Sequence, residues 1–560
     1  MTSRRSFLIG AAVTGVATSG LASWAGLRAI TEITPNVRLP GQAAGHRLRD
    51  MKALPAPAET HRVGVAICGS GIGGLRLAKA GRHDAVVVEG PERFGNAAGG
   101  AFSAQRFPTG AHYLPLPSME STHVREMLAD FGVIERDPFS LRPTYDERAL
   151  VHAPDERLWL GDRWQDGFVP HDGISEAERA EHTHFFTHID RLRQTTGSDG
   201  RRIFTVQTAL ASTDPAWRAL DTLSFRDWLH REGYRAATLH GYTDYCCRDD
   251  YGATADHVSA WAGLAYFASR GGLAANAEQG TVLTWPEGLD WMARRLSDAA
   301  GLGDAGRLLT GSAARIGHPR EAGARVFADV LQSDGRVVRL LADHVVSAMP
   351  LHVARHIIDG FDVPTSELPE TAPWLLANLL IDGFPREHDD APLAWDNVLY
   401  RGTGLGYVVA NHQDIRVGPP EQSVFTAYVA LSDMTPKAAR EWLIQATPHA
   451  LLRTRDARPG HRVRHPPARP DPPRGPDLAR ARDGDPRARL PVPPRHRTTA
   501  RRRRPDPLRA RRPVGLLRLR GGRLVGRPGR TAHPGGLNPR PTPAGHQISP
   551  GAATACGRRT

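Results

Sequence analysis

The sequence predicts an α/β fold, and three observations predict it. First, an apolar run over Arg62–Cys68 closes on the glycine-rich turn Gly69-Ser70-Gly71-Ile72-Gly73-Gly74, then a helical stretch, then a second apolar run Ala85–Val88 ending in Glu89. Second, the middle alternates amphipathic helical stretches (Glu176–Leu192, Ser224–Leu239) with apolar runs of strand length: Trp374–Ile381, Val398–Tyr400, Gly406–Val409 and Val424–Ala430. Third, residues 451–560 hold 28 Arg, 6 Asp and 20 Pro but no Lys, Glu, Phe, Trp or Tyr, a composition that cannot bury enough surface to offset chain entropy.

The chain opens Met1-Thr2-Ser3-Arg4-Arg5-Ser6-Phe7-Leu8-Ile9 and stays uncharged from Ser6 to Leu27. Paired arginines, Phe-Leu and a moderately apolar stretch are the layout of a twin-arginine export signal over 1–27, with Ser23-Trp24-Ala25 offering small residues for cleavage. A membrane anchor is the competing reading, since the stretch is just long enough to span a bilayer. The gly-, ser- and thr-rich composition favours the signal. The expectation is an exported protein, periplasmic or extracellular, with the twin-arginine machinery as a partner and no membrane span beyond the signal. Residues 28–61 read as a linker.

The order strand, G-x-G-x-x-G turn, helix, strand and acid marks a Rossmann-type dinucleotide-binding unit. Gly69 permits the tight turn, Gly71 lets a pyrophosphate approach the backbone, and Gly74 lets helix and strand pack closely; the helix start faces the phosphates. Ser70, Ile72 and Gly73 complete the turn. The helix, Leu75–Ala80 closed by Gly81, is about one turn shorter than usual for such a unit, which preserves its buried face. Glu89 stands 20 residues after Gly69, where a carboxylate accepts from ribose hydroxyls. A free 2′-hydroxyl fits FAD or NAD alike.

The flanks decide between them by resemblance. Phe94-Gly95-Asn96, Thr109-Gly110-Ala111-His112-Tyr113-Leu114-Pro115, Thr284-Trp285-Pro286-Glu287-Gly288-Leu289-Asp290-Trp291-Met292 and His344-Val345-Val346-Ser347-Ala348-Met349-Pro350 resemble segments of FAD-dependent oxidoreductases of the amine-oxidase-like superfamily, over about 62–435. The resemblance implies FAD as cofactor, held by Gly69–Gly74, Glu89, Gly95, Asn96, Gly110 and Ala111, and a small-molecule substrate. It also implies a Rossmann-type FAD domain built from discontinuous segments (62–125 and 281–350), a helical substrate region (126–280) and a substrate-domain sheet (351–435), making a mixed α+β second domain. A flavin performs the redox chemistry while the protein orients substrate and excludes water, so catalytic side chains can be few. His112 and Tyr113 are the candidates beside the flavin; packing of the turn explains them equally well.

Other groups carry bland alternatives. The stretch Tyr242–Gly252, with Trp261, Tyr266 and Phe267 after it, reads as aromatic core with a satisfied Arg–Asp pair, or else as a pocket wall. His182, His184 and His188 have metal-ligand spacing but no acid or Cys cluster, so a solvated helix face is expected and no metal. Cys68, Cys246, Cys247 and Cys556 form no disulfide framework.

The formal charge is +13, but residues 1–450 carry 44 basic and 53 acidic groups, a charge of −9, so the basic character belongs to the end of the chain and no nucleic-acid partner is expected. An Arg/Pro/Gly/Ala excess without Lys or aromatics is what GC-rich DNA yields out of frame. Leu519–Val525 can be encoded so that a one-base shift reads F-E-E-A-A-W; Asp506–Gly515 then yields I-H-F-A-H-A-D-L-S-G, and Arg480–Gly484 yields G-H-A-M. Joined in order, the last part of these resembles the closing FAD segment of the same superfamily: apolar strand, Ser-Gly turn, acidic helix. The expectation is a frameshift near 435–455, a disordered Arg/Pro-rich tail over 451–560, and weakened cofactor binding in the chain as given. Two other functions stay open: an NAD(P)- or flavin-binding protein without turnover, and an envelope binding protein whose basic tail contacts anionic polymers.

Overall fold

The computed structural model describes residues 35–80, 84–161, 163–303, 306–318, 325–383 and 392–454. The expected signal over 1–27, the helix-ending Gly81 and residues 455–560 of the expected disordered tail 451–560 lie outside the described residues, while Leu451–Thr454 at the start of that tail is not disordered but ends a helix, Pro448–Thr454.

The first sheet is built on the predicted unit. Its strands are β1 (Glu59–Cys68), β2 (Ala85–Val88), β3 (Leu308–Leu309), β4 (Ser312–Gly317), β5 (Val326–Leu331) and β6 (Val337–Ser347). Their order is β3-β2-β1-β6-β5-β4. The pairs β3–β2, β2–β1 and β1–β6 are parallel, whereas β6–β5 and β5–β4 are antiparallel. The continuous apolar run of β1 has its cause here. Ile67 faces a core with Val87, Leu75, Leu128 and Leu296, while Ala66 and Cys68 face another with Val330, Leu340 and Ile357, so both faces are covered.

Helix α1 (Ile72–Ala80) connects β1 to β2 and buries Ile72, Gly74, Leu75 and Ala78. Nine residues suffice because this face is kept.

A second six-stranded sheet runs Trp374–Asp382, Gln422–Ala430, Gly406–Val409, Asp396–Leu399, Glu156–Leu160, Arg163–Asp166. The four apolar runs expected after residue 373 are its strands. The two strands from 156–166 join it through a parallel pairing of Glu156–Trp159 with Asp396–Leu399.

A helical unit packs on the second sheet, its aromatic core of Phe185, Phe225, Trp228, Tyr266 and Phe267 sharing one cluster with Leu158, Val398 and Ala430 of that sheet. Helix α2 (Glu176–Gln194) starts in a capping box, the Ser175 hydroxyl accepting from the Glu178 N–H at 3.2 Å and the Glu178 carboxylate accepting from the Ser175 N–H at 3.1 Å. The expected single helix Ser224–Leu239 is two: α3 (Phe225–Arg231) and α4 (Ala237–Tyr251). Gly233 at φ +88° stops α3, and the Tyr234 N–H closes on the Leu229 carbonyl at 2.9 Å. Helix α5 (Ala260–Ala268) is buried along its length. The histidine face is a further correction: His182 is fully buried and hydrogen-bonded to Thr238 Oγ1 at 3.1 Å, because this side of α2 packs on the start of α4. Burial holds its pKa below the usual imidazole value. Among the described residues no cluster suits a metal ion, and no helix is long and apolar enough to cross a membrane.

Tyr113–Pro115 pairs antiparallel with Val282–Thr284, and helix α6 (Asp290–Ala299) then packs on α1. Helix α7 (Leu351–Ile357) follows β6.

Candidate cofactor site

The glycine turn is fixed by contacts that only glycine allows at two of its positions. Gly69 has φ +124°, and a Cβ there would lie 2.8 Å from the Ala348 carbonyl oxygen. A Cβ on Gly74 would lie 2.1 Å from the Gly69 carbonyl oxygen. Gly71 and Gly73 differ in kind, since a Cβ on either meets nothing within 4 Å. The turn is thus tight beneath and open above, a cradle that a side chain at Gly71 would partly fill. The first N–H groups of α1 begin at this opening, and unpaired helix-start donors favour an anion. Ile72 contributes backbone alone, because its side chain is in the core.

Glu89 is placed beside the turn by register: Cys68 pairs with Val88, so the residues after them are neighbours at the carboxyl ends of parallel strands. Its backbone N–H donates to the Leu309 carbonyl at 2.9 Å, leaving the side chain free of ladder duties. The carboxylate has Arg93 Nε 3.8 Å away. Ser70 is a staple of the turn: its hydroxyl donates to the Glu89 carbonyl at 2.6 Å and accepts from the Phe94 N–H at 3.2 Å.

The glycine loop that follows comes to the same end of the sheet. Phe94 and Gly95 both have positive φ, and no atom lies within 4 Å of a Cβ built on Gly95. The Ala111 N–H donates to the Asn96 carbonyl at 2.8 Å, and a Cβ on Gly110 would lie 2.3 Å from that oxygen. Gly95, Asn96, Gly110 and Ala111 are therefore one junction. The Trp285–Asp290 turn closes on it: the Leu289 N–H donates to the Ala111 carbonyl at 3.0 Å and the Thr284 hydroxyl to the His112 carbonyl at 2.8 Å.

His112 and Tyr113 stand against the second sheet. The His112 ring lies 4.6 Å from Tyr113, 4.7 Å from Tyr428 and 5.6 Å from Trp395, and Tyr113 meets Trp395 edge-on at 5.3 Å. Tyr113 and Trp395 are buried in a small core with Val282 and Val408, so these rings pack the turn.

Sequence reasoning missed Trp395, just before a strand of the second sheet, and Tyr428, within one, which reach the junction only through the fold. It also missed an acid cluster beside them: Asp396 is buried, and burial together with the Asp249 and Glu156 charges raises its pKa far above the usual carboxylate range. The stretch after Tyr242 divides its roles. Tyr242, Cys246 and Cys247 are core, whereas His240, Asp244, Tyr245 and Arg248 line a cavity of about 420 Å³ with Arg226 and Arg401. The Arg–Asp pair expected within this stretch reaches outside it: Asp250 pairs with Arg270 at 3.0 Å, with side chains 1 % and 7 % exposed, whereas Arg248 donates to the Gly402 and Thr403 carbonyls at 3.0 and 2.6 Å.

No protein family's profile matches the chain, and no curated protein matches it. Solved structures do. A putrescine oxidase with redesigned cofactor binding is 16 % identical, with 68 % of this chain and 78 % of that one covered at a TM-score of 0.47. Cyclohexylamine oxidase from Brevibacterium oxydans IH-35A is 18 % identical, covering 70 % and 79 % at 0.47. A CLA-producing fatty acid isomerase from P. acnes is 15 % identical, covering 70 % and 82 % at 0.42.

Proposed function

We propose that this protein binds FAD and is an amine-oxidase-like oxidoreductase acting on a small organic substrate. One observation carries the reading: the glycine turn is open at Gly71, closed at Gly69 and Gly74, and flanked by Glu89 at the end of the adjacent parallel strand. That arrangement suits a pyrophosphate over Gly71, with the α1 start facing it, and an adenosine ribose against Glu89. The junction of Gly95, Asn96, Gly110 and Ala111 offers backbone groups further along the ligand. Bound flavin would supply hydride acceptance and re-oxidation.

The chain's own residues bind, orient and exclude water. The aromatic group His112, Tyr113, Trp395 and Tyr428 gives the ring system and the substrate an apolar wall. The amine class rests on the motif resemblance at 94–96, 109–115, 284–292 and 344–350. Export by the twin-arginine route rests on the Arg4-Arg5 leader, and the shifted reading of the end rests on the composition after residue 450.

The test is a flavin spectrum of the purified protein, followed by a panel of primary amines under air. Flavin bleaching with stoichiometric peroxide is the expected result. Bound flavin that no amine reduces leaves a binding protein without turnover. Absence of flavin in a chain whose reading frame has been restored overturns the proposal.

A further inference from the structure

The cavity of about 420 Å³ has one wall made by a stripe of α4. Ala237, His240, Gly241, Asp244 and Arg248 line it, and positions three or four apart share a helix face. A second wall is the turn 400–404, which joins the strands Asp396–Leu399 and Gly406–Val409. Two sets of contacts hold turn and helix together. The Tyr400 hydroxyl donates to the Ala237 carbonyl at 3.4 Å, and it fits there because residue 241 is glycine: a Cβ on Gly241 would lie 2.4 Å from the Tyr400 oxygen. Arg248 donates to the Gly402 and Thr403 carbonyls at 3.0 and 2.6 Å and to the Ser432 hydroxyl at 3.1 Å. The shape of the cavity is therefore set by the fold.

Several charged groups at this cavity are already paired. Arg226 donates to Asp244 at 3.2 Å and to Asp256 at 2.9 Å. His240 is bonded through both ring nitrogens, Nδ1 lying 3.2 Å from Arg226 Nη1 and Nε2 3.1 Å from the Tyr234 carbonyl. A guanidinium only donates and a carbonyl only accepts, so this ring is the neutral tautomer and no spare cation. Arg401 and Asp433 are different. Both line the cavity and both are exposed, yet among the described residues neither has a hydrogen bond or an ion pair, with each other or with any other group. Arg401 also stands at φ +54°, a conformation that a Cβ disfavours and that glycine adopts freely. The turn thus keeps an arginine where its own stability would select glycine.

We propose that this cavity binds a small bipolar molecule, its carboxylate on Arg401 and its ammonium on Asp433. A carboxylate matches the planar fork of a guanidinium with two parallel bonds, and an ammonium donates to a carboxylate with charge assistance. A ligand carrying one charge engages only one of the two groups. The site shares no residue with the glycine turn or the Gly110 junction, so the inference stands apart from the FAD reading.

The experiment is a calorimetric titration of the full chain with glycine, γ-aminobutyrate and ε-aminocaproate, each beside the carboxylate and the amine of the same length. At least one bipolar probe is expected to bind about 10-fold tighter than either of its single-charge analogues, the preferred length reporting the span between the two groups. Asp433→Asn removes the advantage over the carboxylate, and Arg401→Gly removes the advantage over the amine. Arg401→Gly also keeps Tm within about 2 °C of the parent, because relief of the left-handed conformation offsets the freedom that glycine adds to the unfolded chain. Its loss of binding is then not a loss of fold. If that variant does not fold, Arg401→Gln is titrated in its place, with the same loss expected. Bipolar probes that bind no tighter than their analogues overturn the proposal, as does binding that survives both variants. No step needs flavin, so failure here and failure of the FAD reading are told apart.

Discussion

Replacing Gly71 and Gly74 one at a time by alanine separates the two halves of the cofactor argument. In Gly74→Ala the new methyl lies 2.1 Å from the Gly69 carbonyl oxygen, more than 1 Å inside ordinary contact, and that oxygen belongs to backbone that cannot rotate away. Overpacking of this kind costs about 1–3 kcal/mol, offset by the roughly 1 kcal/mol that alanine gains over glycine within a helix. The net loss is about 0–2 kcal/mol, seen as a fall of no more than about 4 °C in Tm for a folded part of this size. Gly71→Ala meets no atom within 4 Å, so the ligand-free protein keeps its Tm within about 1 °C. Its methyl enters the space assigned to the pyrophosphate, and the same overpacking cost falls on the ligand, weakening FAD binding by about 10- to 100-fold. Thermal melts of ligand-free protein and flavin titrations, both in the frame-restored chain, read the two effects. A Gly71→Ala protein that binds FAD as tightly as its parent refutes the cradle, whatever happens to Gly74→Ala.

Glu89→Gln keeps the size of the side chain and removes the charge-assisted bonds to the ribose, so FAD affinity falls about 10-fold while riboflavin affinity is unchanged; equal losses for both ligands contradict the assignment. Asp396 is expected to make stability pH-dependent. Its folded pKa is raised above the unfolded 3.8, so its contribution is most favourable below that value and erodes as pH rises toward the folded value. Asp396→Asn therefore flattens the decline in Tm between pH 4 and the neutral range, and an unchanged slope counts against the acid cluster. Arg270→Ala removes the Arg270 partner of the buried Asp250 carboxylate and costs about 3–5 kcal/mol in chemical denaturation, whereas a loss below 1 kcal/mol shows that the pair is not what holds α4 to its neighbours.

The β-α-β unit was legible because its reasons are local. A parallel strand covered on both faces must be apolar without alternation, and the turn must place glycine where Gly69 and Gly74 stand. The helix break before Tyr234 was present in the sequence as Gly233, but the amphipathic pattern on either side masked it. His182 was unreadable, because three histidines along one helix look solvated until α4 covers one of them. Trp395 and Tyr428 were beyond reach for a related reason: nothing near them in sequence ties them to His112. Their meeting depends on the second sheet assembling from segments far apart in the chain.

That assembly has a temporal consequence. The Arg157 guanidinium donates to the Asn397 side-chain carbonyl at 2.6 Å, from a position 240 residues earlier in the chain. At a synthesis rate of about 5–20 residues per second, the early hairpin waits roughly 12–50 seconds for its partner to be made. Until then Glu156–Asp166 is an orphaned ribbon, and it cannot mature while the ribosome is still working on the middle of the chain. Closure of this sheet is thus a late event, completed only when nearly all of the described polypeptide has been synthesised.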